Sequence, residues 1–253
     1  MGPALMNAIY VLWLRQLKRY VRSRTRILAS MAQPLLFLIA FGYGLGHVFA
    51  AAGRGNYIDF LAPGIIGMSL IFTSVFAGME VIWDRQFGFL KETLVAPVSR
   101  TAIMVGRVLG SATTSTAQGV IVLLVTLLFG FHPMDWALVP AAIAMMALIA
   151  LVFSAGGLLV ASFVADMQAF PLIMNFLVMP IFFLSGAMFP LDGLPPALSL
   201  VTRIDPLAYG VDGLRTLLLG QSHFGLPLDI AVLSAAALVL IAGGSYAFRR
   251  MQV

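Results

Sequence analysis

The sequence predicts an all-α polytopic membrane protein of six transmembrane helices, with an amphipathic helix before the first span and short re-entrant helices on the outer side. Three observations predict it. The chain is 61% hydrophobic and only 10% charged, where a soluble domain is about a quarter charged. Six apolar stretches reach the ~20 residues that a membrane-crossing helix needs. Lys and Arg crowd at the ends of those stretches, which is the signature of membrane topology. The net charge of +5 therefore reads as topology and not as a nucleic-acid surface.

Residues 1–26 form the first unit. Leu5, Ile9, Leu12, Trp13, Gln16, Leu17, Tyr20 and Val21 mostly follow helical spacing. Arg15, Lys18, Arg19, Arg22 and Arg26 take the other side. Such a helix lies in a membrane interface, or serves as a charged stop that orients the next span. Residues 27–253 form the membrane domain, with spans expected at 27–49, 60–82, 103–130, 137–164, 169–189 and 228–248. The small residues of "HVFAAAG" resemble a cleavage site, but the preceding apolar run exceeds the ~7–15 residues of a signal peptide, so the first span is expected to stay. Pro171 and Pro180 predict bends in the fifth span, because proline removes a backbone donor. Gly106-x-x-x-Gly110, Gly156-Gly157 and Gly243-Gly244 predict close helix contacts.

The basic N-terminal segment, the 83–102 loop with Arg85, Lys91 and Arg100, and Arg249-Arg250 fall on one side. The 50–59 loop holds only Arg54, and the 131–136 loop holds no Lys or Arg. Both termini are therefore expected in the cytoplasm. Residues 190–227 are broken by Pro and Gly and carry two short runs at helical spacing. They read either as two helices that dip partly into the membrane or as an ordinary outer helical loop; irregular backbone at membrane depth requires a protein or water cover.

The chain has no cysteine, so thiol catalysis and thiolate metal sites are excluded. His47, His132 and His223 sit far apart near span ends and read as interface residues. Neither Lys18 nor Lys91 closes a Gly-x-x-x-x-Gly-Lys phosphate loop, so no ATP site of that type exists. Glu80 and Arg107, near the cytoplasmic ends of neighbouring spans, are expected to pair. Asp212 and Arg215 share a helical face and are expected to do the same. Asp166 reads as solvated. The middles of the spans carry no charge relay, which argues against a proton-coupled transporter. A transporter with neither ATP site nor relay needs a powered partner.

Two segments resemble the ABC type-2 transporter permeases, the exporter family that includes daunorubicin-resistance and nodulation-factor permeases. "WDRQFGFLKETLVAPVSRTAIMVGR" (Trp83–Arg107) is similar to the loop after that family's second span. "FFLSGAMFPLDGLPPALSLVTRIDPLAYGVDGLR" (Phe182–Arg215) is similar to its second hallmark. The resemblance covers essentially the whole chain. It implies a homodimer in a prokaryotic inner membrane, bound to two copies of an ABC ATPase subunit. ATP and Mg would belong to that partner, with no cofactor and no catalysis in this chain. Gly88, Phe89, Leu90, Lys91, Glu92, Thr93, Leu94, Val95, Ala96 and Pro97 would form the coupling helix that docks on the ATPase. Its apolar face would be Phe89, Leu90, Leu94 and Val95, with Pro97 as the stop. Ser185, Gly186, Phe189 and Pro190 would close the outer end of a path lined by spans one, two and five. The cargo implied is amphipathic or apolar, drug-like as in multidrug resistance or lipid-like; a lipid-linked glycan is the alternative. A self-powered secondary transporter and a lipid-modifying enzyme are the competing classes, and the second lacks a nucleophile–base or metal constellation.

Overall fold

The computed structural model describes residues 3–51, 56–87, 99–191, 193 and 195–250, and these are mostly helical, with no strand among them. The helices are α1 (Pro3–Arg22), α2 (Arg24–Ala51), α3 (Tyr57–Phe76), α4 (Gly78–Gln86) and α5 (Arg100–Leu128). After a 3-10 turn at Trp136–Leu138 follow α6 (Val139–Phe163), α7 (Ala169–Leu184), α8 (Pro196–Ile204), α9 (Pro206–Leu219) and α10 (Leu226–Arg250).

Polar side chains start the helices where the sequence changes character. Asn56 Oδ1 accepts from the Ile58 amide at 3.0 Å and opens α3. Ser99 Oγ accepts from the Ala102 amide at 3.2 Å and opens α5. Each satisfies an amide that the first turn of a helix leaves unpaired.

Five stretches are long and apolar enough to cross a membrane: Ile27–His47, Tyr57–Gln86, Arg100–Leu128, Trp136–Phe163 and Leu226–Phe248. The remaining expected span, the fifth at 169–189, is shorter. Its helix stops at Leu184 after 16 residues, about 24 Å against a hydrocarbon core of about 30 Å. The stop has a local cause. Ser185 Oγ donates back to the Phe182 carbonyl at 2.8 Å and accepts from the Ala187 amide at 3.3 Å. Gly186 then takes φ +76°, a left-handed conformation that ends a helix and suits glycine.

The core is organised around α3. Every residue from Leu61 to Ile71 is buried, and α2, α5, α6 and α9 surround it. Spans one and six are the opposite case, with few fully buried residues, as in lipid-facing or partner-facing helices. Glycines set the tightest crossings. A Cβ on Gly157 of α6 would collide with the Val75 carbonyl, and one on Gly78 with the Gly157 carbonyl. Gly244 of α10 lies against Met104 of α5.

The Gly106-x-x-x-Gly110 pair packs against α1. Gly106 lies against Ile9 and Leu12, and Gly110 against Trp13 and Gln16. Trp13 Nε1 donates to Thr113 Oγ1 at 3.0 Å, and Tyr20 Oη to Gln118 Oε1 at 2.7 Å. The pairs advance together, so α1 runs alongside α5 in the same direction. Much of the apolar stripe of α1, which the sequence places against a membrane interface, packs on a neighbouring span because two glycines hollow the facing surface, while Val21 stays exposed.

The 190–227 region folds as α8 and α9 joined at Asp205. Gly213 packs on Met145 and Gly210 on Ile149, so α9 runs antiparallel to α6. Gly67, ten residues into α3, meets Val211 and Leu207. The α8–α9 corner therefore reaches about 15 Å down the length of α3, with nearly all of α9 buried under protein.

Candidate functional site

Three features carry the functional geometry: a charge clamp at one end of the bundle, a groove between the first two spans, and a knot of backbone at the other end.

The clamp joins the two helices that flank residues 88–98. Arg107 Nη2 of α5 donates to Asp84 Oδ2 of α4, and both residues are buried. One turn earlier on α4, Glu80 Oε2 lies 3.5 Å from Arg19 Nη1 of α1. The expected Glu80–Arg107 pair is thus replaced by two others. The reason is register: the partner of Arg107 is the acid one helical turn farther along α4, and the N-terminal helix brings its own cation to Glu80. Gln86 Nε2 adds a hydrogen bond to the Ala165 carbonyl at 3.2 Å, tying the end of α4 to the α6–α7 turn. The expected coupling residues, Gly88 to Pro97, lie outside the described residues. Beside them Trp83 and Phe87 present exposed rings with centroids 5.7 Å apart.

The groove lies between α2 and α3 at the clamp end. Its volume is about 240 Å³, and Tyr20, Ser30, Gln33, Ser69, Thr73 and Phe72 line it. Hydroxyls and an amide share this space with a ring, which suits a molecule with one polar and one apolar part. Beyond the groove, α2 exposes Leu28, Leu36, Ile39 and Tyr43, and α7 exposes Leu172, Phe176 and Phe183. Phe37 of α2 and Phe182 of α7 meet edge to face at 6.2 Å.

The knot is the Ser185–Pro190 segment, held by four residues from three helices, α3, α8 and α9. Tyr57 Oη donates to the Met188 carbonyl at 2.9 Å. Thr202 Oγ1 of α8 donates to the Leu184 carbonyl at 3.1 Å. Arg215 Nη2 of α9 donates to the Gly186 carbonyl at 3.1 Å, with its guanidinium 4.3 Å from the Phe60 ring centroid. Gly64 of α3 lies so close to Ala187 that a Cβ would collide with the Ala187 carbonyl oxygen. Ser185 is buried and Phe189 packs on the core. The expected Asp212–Arg215 pair does not form. Asp212 instead accepts from the backbone amides of His223 and Phe224, both at 2.8 Å, and so fixes the 221–225 loop. An i, i+3 spacing permits a pair, but unpaired loop amides on one side and a bare carbonyl on the other are stronger claims on buried charges.

At the α8–α9 corner Asp205 is buried. Its Oδ1 caps α9 by accepting from the Leu207 amide at 2.8 Å.

Comparison with known proteins fits this arrangement. The sequence profile of the family described as ABC-2 type transporter matches residues 7–219. The chain belongs to the ABC-2 type transporter family. It is similar to nodulation protein J of Rhizobium leguminosarum bv. viciae, 29% identical over 240 residues that cover 92% of each chain. It is also similar to the inner membrane transport permease YadH of Escherichia coli (strain K12), 28% identical over 230 residues, covering 89% of this chain and 88% of that protein. A putative transport permease, ycf38 of Pyropia yezoensis, is 31% identical over 228 residues, 85% of this chain and 75% of that protein. The ABC-2 match spans α1 to α9, so it takes in both the clamp and the knot. The chain is accordingly a multi-pass membrane permease. The clamp partners Asp84 and Arg19, the groove and the anchors Tyr57, Gly64 and Thr202 were missed by sequence reasoning. Only Asp84 carried a usable signal, as a second acid one turn from Glu80.

Proposed function

We propose that this chain is the membrane subunit of an ATP-driven exporter, energised by a separate ATPase that docks on the 83–102 loop. The observation that carries the reading is the buried Asp84–Arg107 clamp. It makes the two helices bracketing residues 88–98 a single mechanical unit, so a push on that segment moves α4 and α5 together. ABC-2 permeases work with ATPase partners, and no phosphate-binding loop is present in this sequence. Two copies of the chain, each with an ATPase, place the cargo path against the exposed apolar faces of α2 and α7. The half-polar, half-apolar lining of the groove favours an amphipathic cargo, drug-like or lipid-like, and the Ser185–Pro190 knot serves as the outer gate. The termini and the clamp face the ATP side.

The test is co-expression with the cognate ATPase. Wild type should co-purify with it and stimulate its hydrolysis, and Leu90→Asp or Leu94→Asp should abolish both. An apolar docking face loses roughly 1.5–3 kcal/mol for each buried Leu, and a buried unpaired carboxylate adds to that loss. Intact complexes in both variants would overturn the docking claim. Ion-gradient-driven flux in liposomes holding this chain alone would overturn the whole reading. Flux of a lipid-linked glycan and not of amphiphiles would redirect the cargo assignment.

A further inference from the structure

At the break between α1 and α2 the surface opens into a cleft of about 830 Å³. Five cations line it: Arg15, Lys18, Arg19 and Arg22 from α1, and Arg24 from the start of α2. All five are exposed. Arg19 is engaged with Glu80. Arg15, Lys18, Arg22 and Arg24 form no ion pair among the described residues, and no carboxylate lines the cleft. Four unneutralised charges within one concavity repel one another. A surface that keeps them is complementary to an anion.

The surroundings say which kind of anion. Val11 and Leu14 line the same cleft. Val21 and Leu28 beside it are exposed apolar residues, and Leu28 belongs to the first candidate membrane span, Ile27–His47. The charges therefore sit where that span begins, with apolar surface continuing along α2 through Leu36 and Ile39. We propose that this cleft binds the phosphate headgroup of an anionic membrane lipid, with the acyl chains lying along the exposed face of α2. Guanidinium groups suit this role because their planar donors bind phosphate oxygens in pairs. The Ser23 break brings it about: α1 follows α5 while α2 leaves along the membrane span, so the cations of both helix ends converge on one space.

The experiment uses the full chain purified in a neutral detergent, with its thermal midpoint read against added phosphatidylglycerol, phosphatidylcholine or glycerol phosphate. Phosphatidylglycerol should raise the midpoint, and the other two should not. Added salt should weaken the effect, since exposed charges are screened within about a Debye length. Arg22→Gln/Arg24→Gln should weaken phosphatidylglycerol binding by about 25-fold, at about fivefold per cation. Arg203→Gln, a cation removed far from the cleft, should leave it unchanged. Native mass spectrometry of the same samples gives a second readout, and Lys18→Gln a milder variant should the double one fold poorly. An equal shift with phosphatidylcholine means bulk lipid solvation and overturns the proposal. An equal shift with glycerol phosphate means a soluble-phosphate site and overturns the lipid assignment. Undiminished binding in the cleft variants overturns the location. None of these readouts involves the ATPase, so they stand or fall apart from the exporter reading.

Discussion

Arg107→Met is expected to destabilise the protein by about 3–5 kcal/mol, because it strands Asp84 as a buried charge without its partner. Arg107 is 4% exposed and Asp84 8%, so little water reaches the acid left behind. The double variant Asp84→Asn/Arg107→Met should recover much of that loss, since removing both charges also removes the cost of desolvating them. Chemical or thermal unfolding in one fixed detergent would give the cycle. Glu80→Gln is the internal comparison. Its partner Arg19 is about half exposed, and such a pair is worth about 0–1 kcal/mol. If Glu80→Gln costs as much as Arg107→Met, or the double variant is no better than the single, the clamp has been assigned to the wrong acid. Export coupled to ATP hydrolysis should also drop in Arg107→Met beyond what its lower abundance explains, because α4 and α5 no longer move together.

Gly64→Ala should destabilise by about 1–3 kcal/mol or more, the range for overpacking a well-filled interior. The added methyl has no room on either side. It points at the Ala187 carbonyl, which belongs to rigid backbone and not to a flexible side chain that can yield. The knot also has no easy retreat, because Tyr57 of the same helix as Gly64, Thr202 of α8 and Arg215 of α9 hold it by hydrogen bonds. Gly44→Ala is the matched control. It lies in α2 with nothing within 4 Å of the new Cβ, and alanine there should be neutral or slightly stabilising through helix propensity. Thermal midpoints and cargo export for the two variants decide the matter. A Gly64→Ala protein that melts and exports like wild type would remove the knot from the gate.

The two variants also mark where sequence reasoning stops. The helices were legible because hydrophobic length and terminal charges are local properties. Five of the expected apolar stretches agree, to within four residues at each end, with apolar helical stretches long enough to cross a membrane. The remaining one, the fifth at 169–189, was misjudged at its end, where Ser185 and Gly186 turn the chain although the apolar composition continues to Phe189. The two short helices after α7 were legible from their Pro and Gly boundaries, and α8 and α9 each begin at a proline. The charged residues were recognised correctly as unusual, and two of their pairings were still wrong. Glu80 took Arg19, Arg107 took Asp84, and Asp212 and Arg215 each went to backbone.

By itself the sequence determined that this is a helical membrane protein without a Gly-x-x-x-x-Gly-Lys phosphate loop, and it carried the hallmarks of the ABC-2 family. These follow from composition, periodicity and motif, which read along the chain. The tertiary structure decided which charges meet, that α1 lies in the groove of Gly106 and Gly110, and that α3 is enclosed while α2 and α7 are left open. It also brought the cations of α1 and α2 into one cleft. Helical spacing says which residues share a face, but contact depends on the rotation and depth of two helices relative to each other. Those are set by the sum of many packing contacts across the bundle, and no single stretch of sequence contains that sum.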